Sequence, residues 1–313
     1  MRRGVFDVLR RAVDNTLANW PLIVIRLSES LVFALLAILT AVAIFAPLLL
    51  SLGIDLAQLK VAEDFEGALS LLAEKWMFLA WALLAIGVLL TVFFAIHSFI
   101  EAASVRVYVD AERAAGPALV APRTRFRTFT GERWFEGGKE GWWVVFMIYT
   151  LASTFGLLLL LIPLLPTLVL LLIFRDTAPG ASVAIGCLGI GLTILLAITV
   201  MLIGSIWCNR AIAAWGAHGT NARASLAASW AAMRGDFARH FLIAVAVFVV
   251  AMAGSTFFGG FSFVAGMMSA AIKTPALQIA TLPIRIFTSI LSSAFSAAVT
   301  SWFLASYSAL AVE

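Results

Sequence analysis

The residues best suited to chemistry are titratable side chains at the edges of long apolar segments. His97 and Glu101 are four positions apart, which places them on one face of a helix. A titratable side chain at membrane depth is costly to bury and is by default a functional candidate, in this case for handling a proton or a cation. The alternative is that both side chains lie at the level of the lipid headgroups, bonded to each other, to Arg106 or to water.

Arg26 and Glu29 form a second pair, three positions apart at the start of the first apolar segment. At this spacing the two charges can neutralise each other on one helix face. They either line a vestibule on the inner side of the membrane or belong to the surface, to which long side chains snorkel. Glu29 stands between Ser28 and Ser30, so it is the first residue to mutate.

The sequence contains none of the residue patterns that metal binding or covalent catalysis requires. Its three histidines are far apart, and no two ligands have the spacing of a zinc site. No glycine-framed serine of the nucleophile-elbow type occurs. Gly137-Gly138-Lys139 is followed by Glu140, where a phosphate-binding loop needs Ser or Thr. We therefore expect a protein that is not an enzyme and has no cofactor and no metal.

The composition indicates an integral membrane protein. Hydrophobic residues make up 63% of the 313 residues and charged residues only 12%, whereas soluble domains carry about 25% charged residues. Apolar runs of about 20 residues are long enough to span a bilayer. We predict an all-α membrane protein with one domain over residues 1–313 and six transmembrane helices, at about residues 22–52, 76–100, 142–174, 181–208, 241–271 and 286–312. Pro163 and Pro166 predict a bend in the third span.

Amphipathic segments precede the first and fifth spans. Apolar residues recur there at helical spacing, at Phe6, Leu9, Val13 and Leu17 and again at Leu226, Trp230, Met233, Phe237 and Phe241. Such interfacial helices lie at a membrane surface with the apolar side down. Residues 126–143 resemble a degenerate copy of these amphipathic segments. We expect the helix there to be interrupted by Gly131, Gly137, Gly138 and Gly141. The pattern favours three repeated helix-plus-hairpin units, at residues 1–105, 123–215 and 221–313; the alternative is parallel selection for interfacial aromatic residues.

The basic residues predict the orientation. Sixteen of the 21 Lys and Arg residues lie in the N-terminal segment with Arg26 and in the connections over residues 102–141 and 209–240. The positive-inside rule places these segments, and both termini, in the cytoplasm. The other connections hold five, and the acidic one at residues 53–75 is expected to contain a short surface helix. Because the basic residues flank spans, membrane orientation explains the net charge of +4 better than nucleic acid does.

The sixth span has a strip of small side chains that recur every four residues. Such a strip lets two helix backbones approach closely in a membrane. It serves either packing within the bundle or contact with a membrane-protein partner or a second copy of the chain. Its members are Ser289, Ser293, Ala297, Ser301 and Ala305.

The segment from Ser225-Leu226 through Ser229-Trp230 to Met233-Arg234-Gly235-Asp236-Phe237 resembles a group of bacterial six-helix membrane proteins. The group includes the membrane domain found beside glycerophosphodiester phosphodiesterases. The resemblance implies a six-helix bundle in the bacterial cytoplasmic (inner) membrane, with a surface helix and a pair of spans as the repeating plan. The chain leaves no room for the soluble phosphodiesterase domain, so we do not expect that activity.

Two functions are compatible with these patterns. Short outer connections, the small-residue strip and the missing catalytic pattern favour a scaffold, assembly or accessory subunit of a membrane complex. The repeat, the two prolines, Glu29 and the His97–Glu101 pair favour a carrier for a lipid-like or small amphiphilic solute. The expected partners are membrane lipids and a membrane protein or second copy at the sixth span; nucleic acid is not expected.

Overall fold

The computed structural model describes residues 3–52, 76–174, 177–271 and 282–313. Over these ranges the chain is helical, with a single 3-10 turn at Arg123–Phe126 and no strand. The described residues form eight α-helices: α1 Val5–Ala18, α2 Pro21–Leu52, α3 Trp76–Ala115, α4 Gly131–Phe174, α5 Pro179–His218, α6 Ala222–Gly235, α7 Phe237–Ala271 and α8 Leu282–Ala311.

Six of the described helices are long and apolar enough to cross a membrane, which confirms the predicted all-α fold with six spans. They are α2, α3, α4, α5, α7 and α8. The chain is therefore a multi-pass membrane protein. The acidic segment at residues 53–75 with its expected surface helix, the turn residues 175–176, and residues 272–281 lie outside the described residues.

The spanning helices extend well beyond the predicted spans at one end. Helix α3 continues to Ala115 and α5 to His218, and α4 begins at Gly131. The predicted polar connections at residues 102–141 and 209–240 are therefore too long. Residues 116–130 separate α3 from α4, and residues 219–221 separate α5 from α6. The reason is that the charged residues of the α3 extension alternate with buried apolar ones, such as Val105, Val107 and Val109.

These extensions and α1 form a region rich in buried residues, which we call the packed end. It consists of α1, residues 98–115 of α3, residues 206–218 of α5 and residues 301–311 of α8. Helix α8 packs against α1 and α5, and the Trp302 indole donates a hydrogen bond to the Leu9 carbonyl (3.0 Å). Tyr108, Ile212 and Leu304 are fully buried here. By contrast, at most 17% of the most apolar window of any span is buried, as expected for helix surfaces that contact lipid.

Residues 25–97 form a compact unit of their own, separate from the unit made by residues 1–24 and 98–313. It contains the adjoining arms of α2 and α3. The rings of Phe33 and Phe93 lie 4.1 Å apart between the two arms. The arms therefore pack as a helical hairpin.

The glycines expected to interrupt the helix before the third span are all part of α4, so that prediction was wrong. Gly131 is its first residue, and the other three permit close packing. A Cβ at Gly138 would lie 2.5 Å from the Phe99 ring, and one at Gly141 would lie 1.9 Å from the Trp215 indole. Glycine lets α4 approach α3 and α5 closely, which outweighs its low helix propensity.

Both amphipathic segments form separate helices, α1 and α6, and each meets a span after a break of one or two residues. Asn19 ends α1 and Asp236 ends α6. Phe6 and Trp230 are exposed, so they are free to contact lipid. Leu9, Leu226 and Met233, which were assigned to the same apolar faces, are instead buried in the bundle, together with the polar residues Asn15, Thr16, Ser225 and Ser229.

Candidate functional site

Glu29 and His97 are brought together inside the α2–α3 unit. His97 Nδ1 lies 2.7 Å from Glu29 Oε1. The Phe93 ring stacks parallel to the imidazole, with 5.7 Å between the ring centres. The two residues are 68 positions apart, so their spacing in the sequence did not predict this contact. It adds a cross-helix partner to the predicted pairings of His97 with Glu101 and of Arg26 with Glu29, which remain predictions.

Arg26 and Glu101 are both buried, with exposed fractions of 3% and 2%, and neither lacks an interaction partner. Burying a charge that has no partner would be costly. Over the described residues, no group of three or more His, Cys, Asp or Glu side chains could hold a metal ion.

The small-residue strip of α8 divides into two parts. Ser289 is exposed and Ser293 is half-buried. Ala297, Ser301 and Ala305 are buried, where α8 packs against α1, α5 and α7. The buried part is therefore covered by the chain itself.

A buried polar network holds α1 against the packed end. Arg11 Nη2 lies 2.9 Å from Glu112 Oε2, and Arg11 Nε lies 3.1 Å from the same oxygen. Arg11 also donates to the carbonyls of Gly116 and Ala118, and its guanidinium lies 5.0 Å from the centre of the Phe126 ring. Each of the three guanidinium nitrogens thus has a partner within the chain, which makes α1 an integral part of the bundle.

Asn19 continues this network into the connection between α3 and α4. Its Oδ1 accepts hydrogen bonds from the backbone amides of Thr128 (3.1 Å) and Phe129 (2.9 Å). Its Nδ2 donates to the Phe126 carbonyl (2.7 Å). One buried amide side chain therefore replaces the backbone partners that this irregular segment lacks.

A large apolar groove lies between α4, α5 and α6; we call it the α4–α6 groove. Its volume is about 690 Å³, within the range of about 300–1,000 Å³ typical of ligand sites. Arg223 is the only charged residue among the described residues that line it. The other lining residues are Leu151, Ala152, Phe155, Gly156, Leu159, Leu196, Thr199, Val200, Ile203, Gly204, Trp207, Leu226, Ala227 and Trp230.

Trp207 joins the three walls of this groove. Its indole N–H donates to the Leu226 carbonyl (2.9 Å), and its own carbonyl accepts from the Ser229 hydroxyl (3.0 Å). Its ring lies 5.8 Å from the Trp230 ring and 6.1 Å from the Phe155 ring. Helix α6 is therefore fixed over the α4–α5 pair rather than resting loosely on lipid.

The polarity of the groove changes along its length. Arg223 is three residues before Leu226 on α6, and the Leu226 carbonyl accepts a hydrogen bond from Trp207. The charged residue is therefore at the end of the groove where Trp207 lies. The opposite end is lined by Leu159 and Leu196. Eleven residue steps along α5 correspond to about 16 Å, about half of a hydrocarbon core of roughly 30 Å. The groove thus has one charged end and a depth close to one lipid leaflet.

The sequence patterns did not identify this groove. The sequence contains only an indirect indication of the groove: Gly156 and Gly204 remove side-chain volume from two apolar helices. At Gly204 an added Cβ would meet no atom within 4 Å in the described part of the chain.

Two other depressions differ in character. One, of about 460 Å³, is lined mainly by charged residues of both signs, including Arg106, Arg133, Glu136 and Glu140. The other, of about 450 Å³, lies between α2 and α3, and the described residues that line it are apolar except for Thr40. Neither combines an apolar length with a single charge. No protein family, curated protein or solved structure was found to match this chain.

Proposed function

We propose that this is a non-enzymatic integral membrane protein that binds and carries a lipid-like amphiphile with a negatively charged head. The α4–α6 groove is the observation that supports this proposal. Its volume and apolar lining suit an acyl chain, because burial of each methylene group contributes about 0.8 kcal/mol.

The head of the amphiphile would lie beside Arg223. An anionic group at the Trp207 end would gain a charge-assisted contact with this exposed guanidinium, while the chain would extend along α5 toward Leu196. Trp230 and Trp207 would flank the head, as tryptophans do at membrane interfaces. This arrangement matches an amphiphile that enters from one leaflet.

The apolar part of the groove is tested with a dibrominated fatty acid, whose bromine atoms quench nearby tryptophan fluorescence. Gly204→Leu places a side chain in the open space of the groove. Displacing about two methylenes would weaken half-maximal quenching by about ten-fold or more. Gly191→Leu is the matched control, because it is on the same helix, is exposed, does not line the groove and has equally open space in the described structure. Equal quenching of the two variants and the wild type would refute the groove as the site.

The charged end is tested separately. Arg223→Gln would weaken binding of the fatty acid by about two- to five-fold, the effect of an exposed charge pair, and would leave binding of its methyl ester unchanged. Arg234→Gln is the control, since Arg234 is exposed on the same helix outside the groove. If both variants lose affinity equally, general surface charge explains the effect. Transfer of the same probe between vesicles containing the protein then measures the carrier activity.

The second candidate function is a scaffold or accessory subunit of a membrane complex. The depression lined by charges of both signs favours it, because alternating charges suit a protein surface better than a lipid. In it, Arg106 Nη2 lies 3.3 Å from Glu140 Oε2. Gentle extraction followed by native mass measurement tests this function: a monomer with no co-purifying protein would argue against it.

We also propose that the packed end lies in the cytoplasm of a bacterial cell, with the protein in the cytoplasmic membrane. The support is that the N-terminal segment and the connections rich in arginine meet at this end, which the positive-inside rule assigns to the inner side. Labelling of single cysteines introduced after Gly116 and near Glu313 in intact cells would test it. Reaction with an impermeant reagent would contradict the proposal.

A further inference from the structure

Three arginines from separate parts of the chain cluster at the packed end, around one carboxylate. Arg3 precedes α1, Arg210 is on α5 and Arg239 is in the first turn of α7. Glu313 is bonded to Arg239, with distances of 2.9 Å and 2.8 Å from its two oxygens to Nη2. Arg3 and Arg210 both interact electrostatically with this Glu313–Arg239 pair. We call Arg3, Arg210 and Arg239 the arginine cluster.

The cluster contains buried hydrogen-bond donors that are not satisfied. Among the described residues, Arg3 Nη1, Arg210 Nε and Nη1, and Arg239 Nε are buried and have no hydrogen-bond partner. Buried polar groups in proteins are almost always bonded, and burying a charged donor without a partner is especially costly. A bound acceptor group would supply the hydrogen-bond partners that these four nitrogens lack.

The charges of this region are also unbalanced. Glu112 is bonded to Arg11 and lies 3.5 Å from Arg3 Nη1, and Glu313 is bonded to Arg239. Within the described residues, Arg210 has no ion pair, and Glu313, with which it interacts electrostatically, already pairs with Arg239. Burial, followed by the charge of Arg11, lowers the pKa of Arg3 below its ordinary value. Both observations call for additional negative charge.

Two further side chains border the cluster. The Tyr307 hydroxyl donates to the His240 carbonyl (3.0 Å), and Tyr307 interacts electrostatically with Arg210. The Nε2 atom of His240 is buried and, in the described structure, has no partner. These residues come from α7 and α8, so the cluster is fixed by two spans and by α5. None of its residues lines the α4–α6 groove.

We propose that the arginine cluster binds a phosphate group, with Arg210 as its central ligand and Arg3 and Arg239 beside it. The planar guanidinium donates two parallel hydrogen bonds to phosphate oxygens. A phosphate anion would add negative charge beside Arg3 and Arg210, since Glu112 pairs with Arg11 and Glu313 with Arg239. The phosphate belongs either to a free anion or to the headgroup of an anionic lipid. This proposal does not depend on the carrier function.

The test is thermal unfolding of the purified full chain in detergent, at constant ionic strength. Inorganic phosphate is exchanged for chloride in one arm; in the other, phosphatidic acid is compared with phosphatidylcholine. A ligand at about 100 times its Kd would raise the Tm by on the order of 5 °C. Arg210→Gln would weaken the response at least ten-fold in ligand concentration, because charge-assisted bonds are lost. Arg10→Gln, which changes an exposed arginine of α1, should respond like the wild type.

The two arms identify the source of the phosphate. A response to inorganic phosphate identifies a free anion, and a response to phosphatidic acid alone identifies a lipid headgroup. If the wild type responds to neither, or if Arg210→Gln responds as the wild type does, the proposal is overturned. If Arg210→Gln does not fold, Arg210→Lys retains the charge but loses the paired donors. We expect Arg210→Lys to weaken the response to the ligand as Arg210→Gln does. A response equal to that of the wild type would contradict the proposal.

Discussion

Replacing Glu112 by alanine removes the carboxylate that pairs with Arg11 at the packed end. Both side chains are essentially buried, and Glu112 Oε2 accepts two hydrogen bonds from Arg11, at 2.9 Å and 3.1 Å. Breaking one side of a buried ion pair costs about 3–5 kcal/mol, because the other charge stays buried. Arg11 keeps its bonds to the Gly116 and Ala118 carbonyls, so we expect about 3 kcal/mol. With an unfolding entropy of about 2.1 cal/mol/K per residue, this corresponds to a Tm about 5 °C lower.

A double-mutant cycle separates the ion pair from the loss of packing. Arg11→Met and Glu112→Leu are made singly and together, and the Tm of each purified protein is measured in one detergent. Replacing both partners of a buried pair by apolar side chains is often nearly neutral. We therefore expect the double variant to be more stable than the sum of the single changes by at least about 1.5 kcal/mol. Additive effects, or a Glu112→Ala protein that melts with the wild type, would refute the reasoning.

Three further changes test the packing of the bundle. Gly141→Ala would force its Cβ against the Trp215 indole and destabilise the protein by about 1–3 kcal/mol, whereas Gly131→Ala, on the same helix with open space in the described structure, would not lower the Tm. Asn19→Ala would cost about 1–3 kcal/mol, and the amides that it bonds between α3 and α4 would lose protection in hydrogen exchange. Trp207→Phe removes the indole N–H that bonds α6, so α6 should exchange amide hydrogens faster while α7 remains protected.

The fold class and the six spans were predictable because apolar composition is a local property of the sequence. The ends of the helices were not predictable, because a charged residue is taken as exposed when the sequence does not reveal the partner that allows its burial. Glu112 was taken as part of a polar connection, yet it is buried by Arg11, 101 positions away. The α4 glycines were also misjudged because their partners are distant in the sequence. Their low helix propensity suggested a break in the helix, but close contact with Phe99 and Trp215 requires glycine at Gly138 and Gly141.

The candidate sites depended even more on distant residues. The α4–α6 groove is made by three helices, and no local pattern in any of them describes its volume. The contact of Glu29 with His97 crosses between two spans, so the spacing of each residue along its own helix was not informative. What the sequence did single out was Glu29 and His97 individually, because titratable residues are rare in apolar spans.

The contact between Leu9 and Trp302 has a consequence for the synthesis of the protein. These residues are 293 positions apart, and at about 5–20 residues per second a ribosome takes roughly 15–60 s to cover that distance. During this time α1 has emerged while its α8 partner does not yet exist. Its polar face, with Arg11 and Asn15, can bond to α3 as soon as residues 108–118 are made, but the seam with α8 closes only near the end of translation. The first helix of the chain is thus among the last to be fully enclosed.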